Sequence, residues 1–402
     1  MIADKMKDLV QGSSVIRAMF EEGKKMAAIY GKENIYDFSL GNPNVPAPEC
    51  VNKVIKDIAD SEESTILHGY MSNSGYEDVR LCIADNLNRR FGTNFNETNI
   101  VMTVGAAGGL NVILKSLINH GDEVIVFAPF FGEYKSYVNN YDGHLVIISA
   151  DTENFQLNLE EFEKKVSSKT KAVIINNPNN PTGVVYSEDT IIKFTDILKR
   201  KQKEFGTDIY LISDEPYREL VYDDAKVVYL TKYYENTIVG YSYSKSLSLP
   251  GERIGYLVIP DEVSDSEDVK NAVNVATRIL GFVNAPSLIQ KVVGRCVDAE
   301  VDIRPYNKNR ELLYNSLREY GYECIKPQGA FYLFVKTPTE DENVFVAAAK
   351  KHNILVVPGS SFVCPGYVRI AYCVAYETIV NSLEGFKALA EEFHVFPHKD
   401  TK

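Results

Sequence analysis

The chain has 402 residues, 45% of them apolar and 24% charged, a composition ordinary for a soluble globular protein of about two or three domains. Its formal net charge of −12 speaks against a nucleic-acid or anionic-membrane surface, and no apolar run reaches the roughly 18 residues of a membrane span. The six cysteines form no CxxC pair and read as reduced thiols, and the six histidines lack ligand spacing, so no metal site is expected.

The opening MIADKMKDLVQGSS is charged and has no signal-peptide core, so a cytoplasmic location is expected. Ser13 to Gly31 has helical spacing, with serine at its start and glycine at its end. DFSLGNPN then reads as a short strand and a turn. From about residue 99 strands and helices alternate. IVMTV, EVIVFAP, HLVIISA, KAVIIN, DIYLISD, TIVGYS and RIGYLVI read as strands. GGLNVILKSLINHG, GEYKSYVNNYDG and the stretch from about Glu188 to Phe205 read as helices. Such alternation predicts an α/β fold with a mostly parallel, doubly wound sheet, in which ligands bind beyond the carboxyl ends of the strands.

Beyond about residue 285 the texture changes. AEVDIRPYNKNRELLYNSLREYG is a long polar helix. AFYLFVK, ILVVPGSSF and YVRIAYCV are strands of a smaller α+β unit, closed by the helix YETIVNSLEGFKALAEEF. The expected division is a large unit at 45–285 and a small one made of 1–44 and 286–402. The N-terminal helix is expected to pack with the C-terminal unit.

The residues just after the strands belong together. VGAAGGL puts Gly105, Ala106 and Ala107 at a helix start, where backbone N–H groups can approach an anion. Close helix–strand packing is the other reading, and neither GxGxxG nor GxxxxGK[ST] is present. NNPNNPTG offers the Asn180 amide to a ligand, or is an Asn-Pro turn. SDEPYREL sets Asp214 at a strand end with Tyr217 three residues on; Asp214 either meets a partner charge or caps a following helix. TIVGYSYSKSLSLPGERIGYLVI places Lys245 at the end of an apolar strand, among Ser242, Ser244 and Arg253. Desolvation there lowers a lysine pKa and suits it to Schiff-base chemistry. One chemistry uses every loop. Pyridoxal phosphate needs a Schiff-base lysine (Lys245), a carboxylate for its pyridine nitrogen (Asp214), a phosphate cradle (Gly105, Ala106, Ala107, Ser242, Arg253) and a stacking aromatic (Phe131).

Across essentially the whole chain, the lysine motif SYSKSLSLPGERIGY, the NNPNNPTG loop and SDEPYRE resemble, in their order, the fold-type I, class I aminotransferases of the aspartate aminotransferase family. The resemblance implies a seven-stranded, mostly parallel sheet plus a smaller α+β domain. It implies that Lys245 is the Schiff-base lysine and moves the substrate's Cα proton. It implies that Asp214 pairs with the pyridinium nitrogen and that Tyr217 and Asn180 hydrogen-bond the ring's phenolic oxygen. Arg369, in GYVRIAY, matches the arginine that grips the substrate α-carboxylate, and Gly41, in SLGNP, the backbone that closes over it. Tyr70, in HGYMSNSGYEDVR, matches the tyrosine that reaches the neighbouring subunit's phosphate, so a homodimer with its sites at the interface is implied. Two positions depart from common family usage. Ala107 offers backbone contact only, and a phenylalanine, not a tryptophan, is left to stack, since the chain has no Trp.

The expected reaction moves an amino group from an L-amino acid to a 2-oxo acid by a ping-pong mechanism, with an aspartate- or aromatic-type donor. Arg278, in ATRILGFVNAPS, is either a second cation for a dicarboxylate or a helix-surface charge. A carbon–sulfur β-lyase on the same cofactor is the alternative. A ligand sensor with an aminotransferase-like domain would need a DNA-binding head, for which the N-terminus has no room.

Overall fold

The computed structural model describes residues 2–11 and 15–395. The helix expected from Ser13 runs over Val15–Tyr30; the expected serine start lies outside the described residues. In chain order the strands are β1 (Tyr36–Asp37), β2 (Ile100–Thr103), β3 (Glu123–Phe127), β4 (His144–Ile148), β5 (Thr170–Asn176) and β6 (Tyr210–Asp214). They continue with β7 (Thr237–Ser242), β8 (Gly255–Val258), β9 (Tyr332–Lys336), β10 (Ile354–Leu355), β11 (Val357–Pro358) and β12 (Tyr367–Ala371).

Seven strands form one sheet in the order β2-β8-β7-β6-β5-β3-β4. Only β8 runs antiparallel to its neighbours. The near-continuous apolar runs of β3 and β5 follow from cover on both faces. Val124, Val126, Ala172 and Ile174 face the helices Gly105–Leu117 and Ser266–Ile279. Their neighbours Ile125, Phe127, Val173 and Ile175 face the helix Glu188–Phe205. That helix starts on the Ser187 side chain, which accepts from the Thr190 N–H, and stops at Gly206 in the left-handed region at φ 65°.

A third apolar cluster joins the helices Glu49–Ser61, Glu77–Phe91 and Ser287–Arg295, through Val51, Ile58, Ile83, Leu87, Ile289 and Val292. The helix Ser287–Arg295 thus packs on the side of the seven-stranded sheet. We propose two units, a large one at 45–285 and a small one made of 1–44 and 286–402.

The smaller sheet has the order β11-β12-β9, all antiparallel. It packs against the helices Arg304–Glu319 and Tyr376–Glu392 through Val368, Ile370, Leu313 and Phe386. The run ILVVPGSSF, expected as one strand, is two. Ile354–Leu355 pairs in parallel with β1, and Val357–Pro358 pairs with β12. Val356 lies between two pairings in different sheets, and Pro358 lacks the N–H to extend the second. The N-terminal helix does pack here. Glu22 pairs with Lys350 at 2.9 Å, and a Cβ on Gly23 would lie 2.9 Å from the Leu355 side chain.

Candidate active site

The carboxyl ends of β5, β6 and β7 open into a cavity of about 280 Å³. It is lined by Ala106 and Ala107 from the first loop, Phe131 from the second, Asn180 from NNPNNPTG, and Asp214 and Tyr217 from SDEPYREL. Ser242, Lys245 and Arg253 line it from the lysine segment, Gly41 from the N-terminal loop and Arg369 from β12. So eleven expected residues are brought together. Gly105 stands just behind them, where a Cβ would lie 2.7 Å from Arg253 Nη2, and its φ of 68° also favours glycine. Tyr70 is not among the lining residues and is 93% exposed. Arg278 is exposed on its helix and does not line the cavity.

Asp214 ends β6, and a turn, not a helix, follows it, so it caps nothing. Its carboxyl is buried. Oδ2 accepts from the Tyr134 hydroxyl at 2.5 Å, while Oδ1 is buried with no partner. Burial pushes its pKa up to about 7, against the Tyr134 bond, with the Glu215 carboxylate adding to the rise. The Asn176 amide donates to the Asp214 carbonyl at 2.8 Å and accepts from the Asn180 N–H at 2.7 Å, tying the two loops together.

Below this turn lies a buried charge network. The Arg218 guanidinium donates to Glu215 and to the Tyr256 hydroxyl, each at 2.9 Å, and sits 4.2 Å from the Tyr241 ring centroid. These bonds tie the 214–218 turn to β8, where Tyr256 lies.

Lys245 follows β7 in a single helical turn whose N-cap, Ser242, accepts from the Ser244 N–H. Its Nζ donates to the Gly41 carbonyl at 2.7 Å. Burial lowers its pKa to about 8, and Arg369 and Arg253 push the same way while Cys373 opposes them. A minor neutral fraction, roughly a tenth, therefore exists near pH 7.

Arg369, on β12, is buried. Nη1 donates to Asn180 Oδ1 at 3.0 Å and Nη2 to the Ser39 carbonyl at 2.7 Å, while Nε is buried without a partner. Its guanidinium lies 4.4 Å from the Tyr332 ring centroid and 4.8 Å from that of Phe362. Tyr217 bonds the Tyr332 hydroxyl at 2.9 Å. Phe131 stands edge-on to Tyr134, centroids 5.7 Å apart.

Tyr134, Tyr137, Asn176 and Tyr332 were not anticipated as site residues. Tyr134 carries a usable signal, since it sits three residues past Phe131 at the start of the helix Glu133–Asn139.

The raised pKa of Asp214 makes a stability prediction. In the cofactor-free protein its folded-state pKa of about 7 exceeds the unfolded value of 3.8, so the fold binds the extra proton. The contribution of this one carboxyl to stability is therefore full below about pH 4 and is lost as pH rises through 7, on the order of 4 kcal/mol. Asp214→Asn removes that loss. Urea unfolding of both cofactor-free proteins should show the variant gaining on the wild type between pH 4.5 and pH 7.5; a constant gap refutes the buried carboxyl.

Among the described residues no helix is long and apolar enough to cross a membrane, and no cluster of side chains has the makings of a metal site. Residues 33–385 match the family model "Aminotransferase class I and II". The chain is 30% identical to the aromatic-amino-acid aminotransferase 2 of Thermococcus litoralis, over 94% of this chain and 96% of that one. It is 30% identical to the aspartate aminotransferase of Pyrococcus abyssi, over 96% and 97%. A crystal structure of an amino transferase from Eubacterium rectale superposes with TM-score 0.95 at 49% identity, covering 98% of this chain and 99% of that one. A lysine with a depressed pKa at a strand end, a buried arginine with a free donor and this match over most of the chain place the protein in the class I and II aminotransferase family.

Proposed function

We propose that the chain is a pyridoxal-phosphate-dependent aminotransferase that passes an amino group from an L-amino acid to a 2-oxo acid. The observation that carries this is the pairing of two unusual groups on one cavity wall: Lys245, desolvated and part-neutral, and Asp214, buried with one oxygen unmatched. The residues fit the group. Asp214 Oδ1 is an acceptor waiting for a cationic ring N–H, and its charge would then be matched. Ser242, Arg253 and the N–H groups at Ala106 and Ala107 would hold the phosphate, and Phe131 would face the ring. When bound, the cofactor supplies an electron-withdrawing pyridinium that makes the substrate's Cα–H acidic.

The chain's own residues do the rest. Arg369 Nε is the donor left for the substrate α-carboxylate, and stacking on Tyr332 fixes the plane of the guanidinium. Lys245 Nζ takes the Cα proton and returns it, which asks for a base that is partly neutral near pH 7. With the cofactor bound, Asp214 would stay ionised and would keep the ring nitrogen protonated. Two half-reactions on one cavity give ping-pong kinetics.

The related proteins support a donor of aspartate or aromatic type. The exposed Tyr70, outside this chain's cavity, supports a homodimer in which it serves the neighbouring copy. A cytoplasmic location completes the reading.

A donor panel tests it. Each common amino acid is mixed with purified holoenzyme, and loss of the yellow absorption band is followed. Bleaching by aspartate or an aromatic amino acid, restored by a 2-oxo acid, is expected. No bleaching by any donor overturns transamination, and pyruvate plus thiol from cystathionine without an acceptor selects the β-lyase.

A further inference from the structure

Tyr332 opens β9 and is 2% exposed, yet it lines the cavity. Several site groups meet on it. Its hydroxyl lies 2.9 Å from that of Tyr217. Its ring lies under Arg369, 4.4 Å from the guanidinium carbon. A Cβ on Gly41 would fall 2.0 Å from its hydroxyl, so the loop backbone runs directly against the phenol. That same loop offers the carbonyl that receives Lys245.

Packing alone does not ask for this hydroxyl. Phe331 and Phe334 fill neighbouring positions of the same strand segment without one, and a phenyl ring would support the guanidinium equally well. What the hydroxyl adds is the bond to Tyr217. Either oxygen can donate in that pair. If Tyr217 is to donate its one hydrogen into the cavity, Tyr332 must be the donor to Tyr217. A phenol that accepts a hydrogen bond is polarised and becomes a stronger donor itself.

We propose that Tyr332 is a positioning residue: its hydroxyl turns Tyr217 into a donor toward the cofactor's ring oxygen, and its ring seats Arg369 for the substrate carboxylate. The proposal rests on the pyridoxal-phosphate reading above. It links cofactor electronics and carboxylate binding through one side chain.

The test is a pH titration of the cofactor's absorption band in holoenzyme, with thermal unfolding as a check on folding. Donation by Tyr217 favours the deprotonated form, so Tyr332→Phe should raise the midpoint by about half a pH unit or more. Tyr217→Phe should raise it too, and the double variant should go no higher than Tyr217→Phe alone. Tyr332→Leu, which also removes the ring, should raise the donor KM about tenfold, while Tyr332→Phe leaves it within about twofold. A wild-type midpoint unmoved in Tyr332→Phe, or shifts that simply add, overturns the hydroxyl's role and leaves the functional reading standing. An unchanged KM in Tyr332→Leu overturns the seating of Arg369. A wild-type protein with no pH-dependent band overturns the functional reading and this proposal together.

Discussion

Lys245→Ala lowers kcat/KM for transamination by about 10³-fold or more while leaving the fold intact. Loss of a positioned general base costs typically about 10²–10⁴-fold, and in the proposed reading the same Nζ would also hold the cofactor. The fold should survive because the lysine stabilises little. Its Nζ makes one hydrogen bond, to the Gly41 carbonyl, and burial of its charge opposes folding, as the pKa of about 8 records. Steady-state kinetics on the purified variant, with circular dichroism to confirm folding, is the check. Full turnover by the variant would refute the assignment of Lys245.

Arg369→Ala costs about 2–5 kcal/mol in kcat/KM, the range for removing one partner of a buried charge pair. The arginine is buried, so a substrate carboxylate bound there would meet it with little competing water. Alanine also strands Asn180 Oδ1 and the Ser39 carbonyl, which now accept from Nη1 and Nη2. Lysine at the position recovers only part of the loss, because an ammonium cannot reproduce the planar fork. The kinetic comparison is between amino donors and their 2-oxo products, both of which carry the α-carboxylate. An unchanged kcat/KM in Arg369→Ala rules out the carboxylate role.

The chain's order of strands and helices made the main sheet legible, since each buried strand is a short apolar run and the covering helix Glu188–Phe205 stops at Gly206. The rule that ligands sit past the carboxyl ends of such strands then pointed to Asp214, Asn180 and Lys245 with no three-dimensional information. The helices Glu49–Ser61 and Glu77–Phe91 were passed over, although Val51, Val54, Ile55 and Ile58 have helical spacing. Polar residues crowd the second of them, and only its inner face is apolar.

Tyr134 and Tyr332 escaped for a different reason. A phenol's partner is set by where two distant elements meet, Tyr134 with a strand 80 residues on and Tyr332 with a turn 115 residues back. With 25 tyrosines in the chain, residue type alone could not single them out. Tyr70 is different again. One chain does not bring it to the cavity, and the role expected for it involves a second copy.

The contacts that assemble the cavity span most of the polypeptide. Lys245 meets Gly41 across 204 positions, and Arg369 meets Ser39 across 330. During synthesis the lysine and the acid of β6 can settle while the ribosome still holds the C-terminal strands. The bonds of Arg369 to Ser39 and Asn180 must wait for residue 369 to emerge. A nascent chain stalled before β12 would carry Lys245 and Asp214 but not yet Arg369.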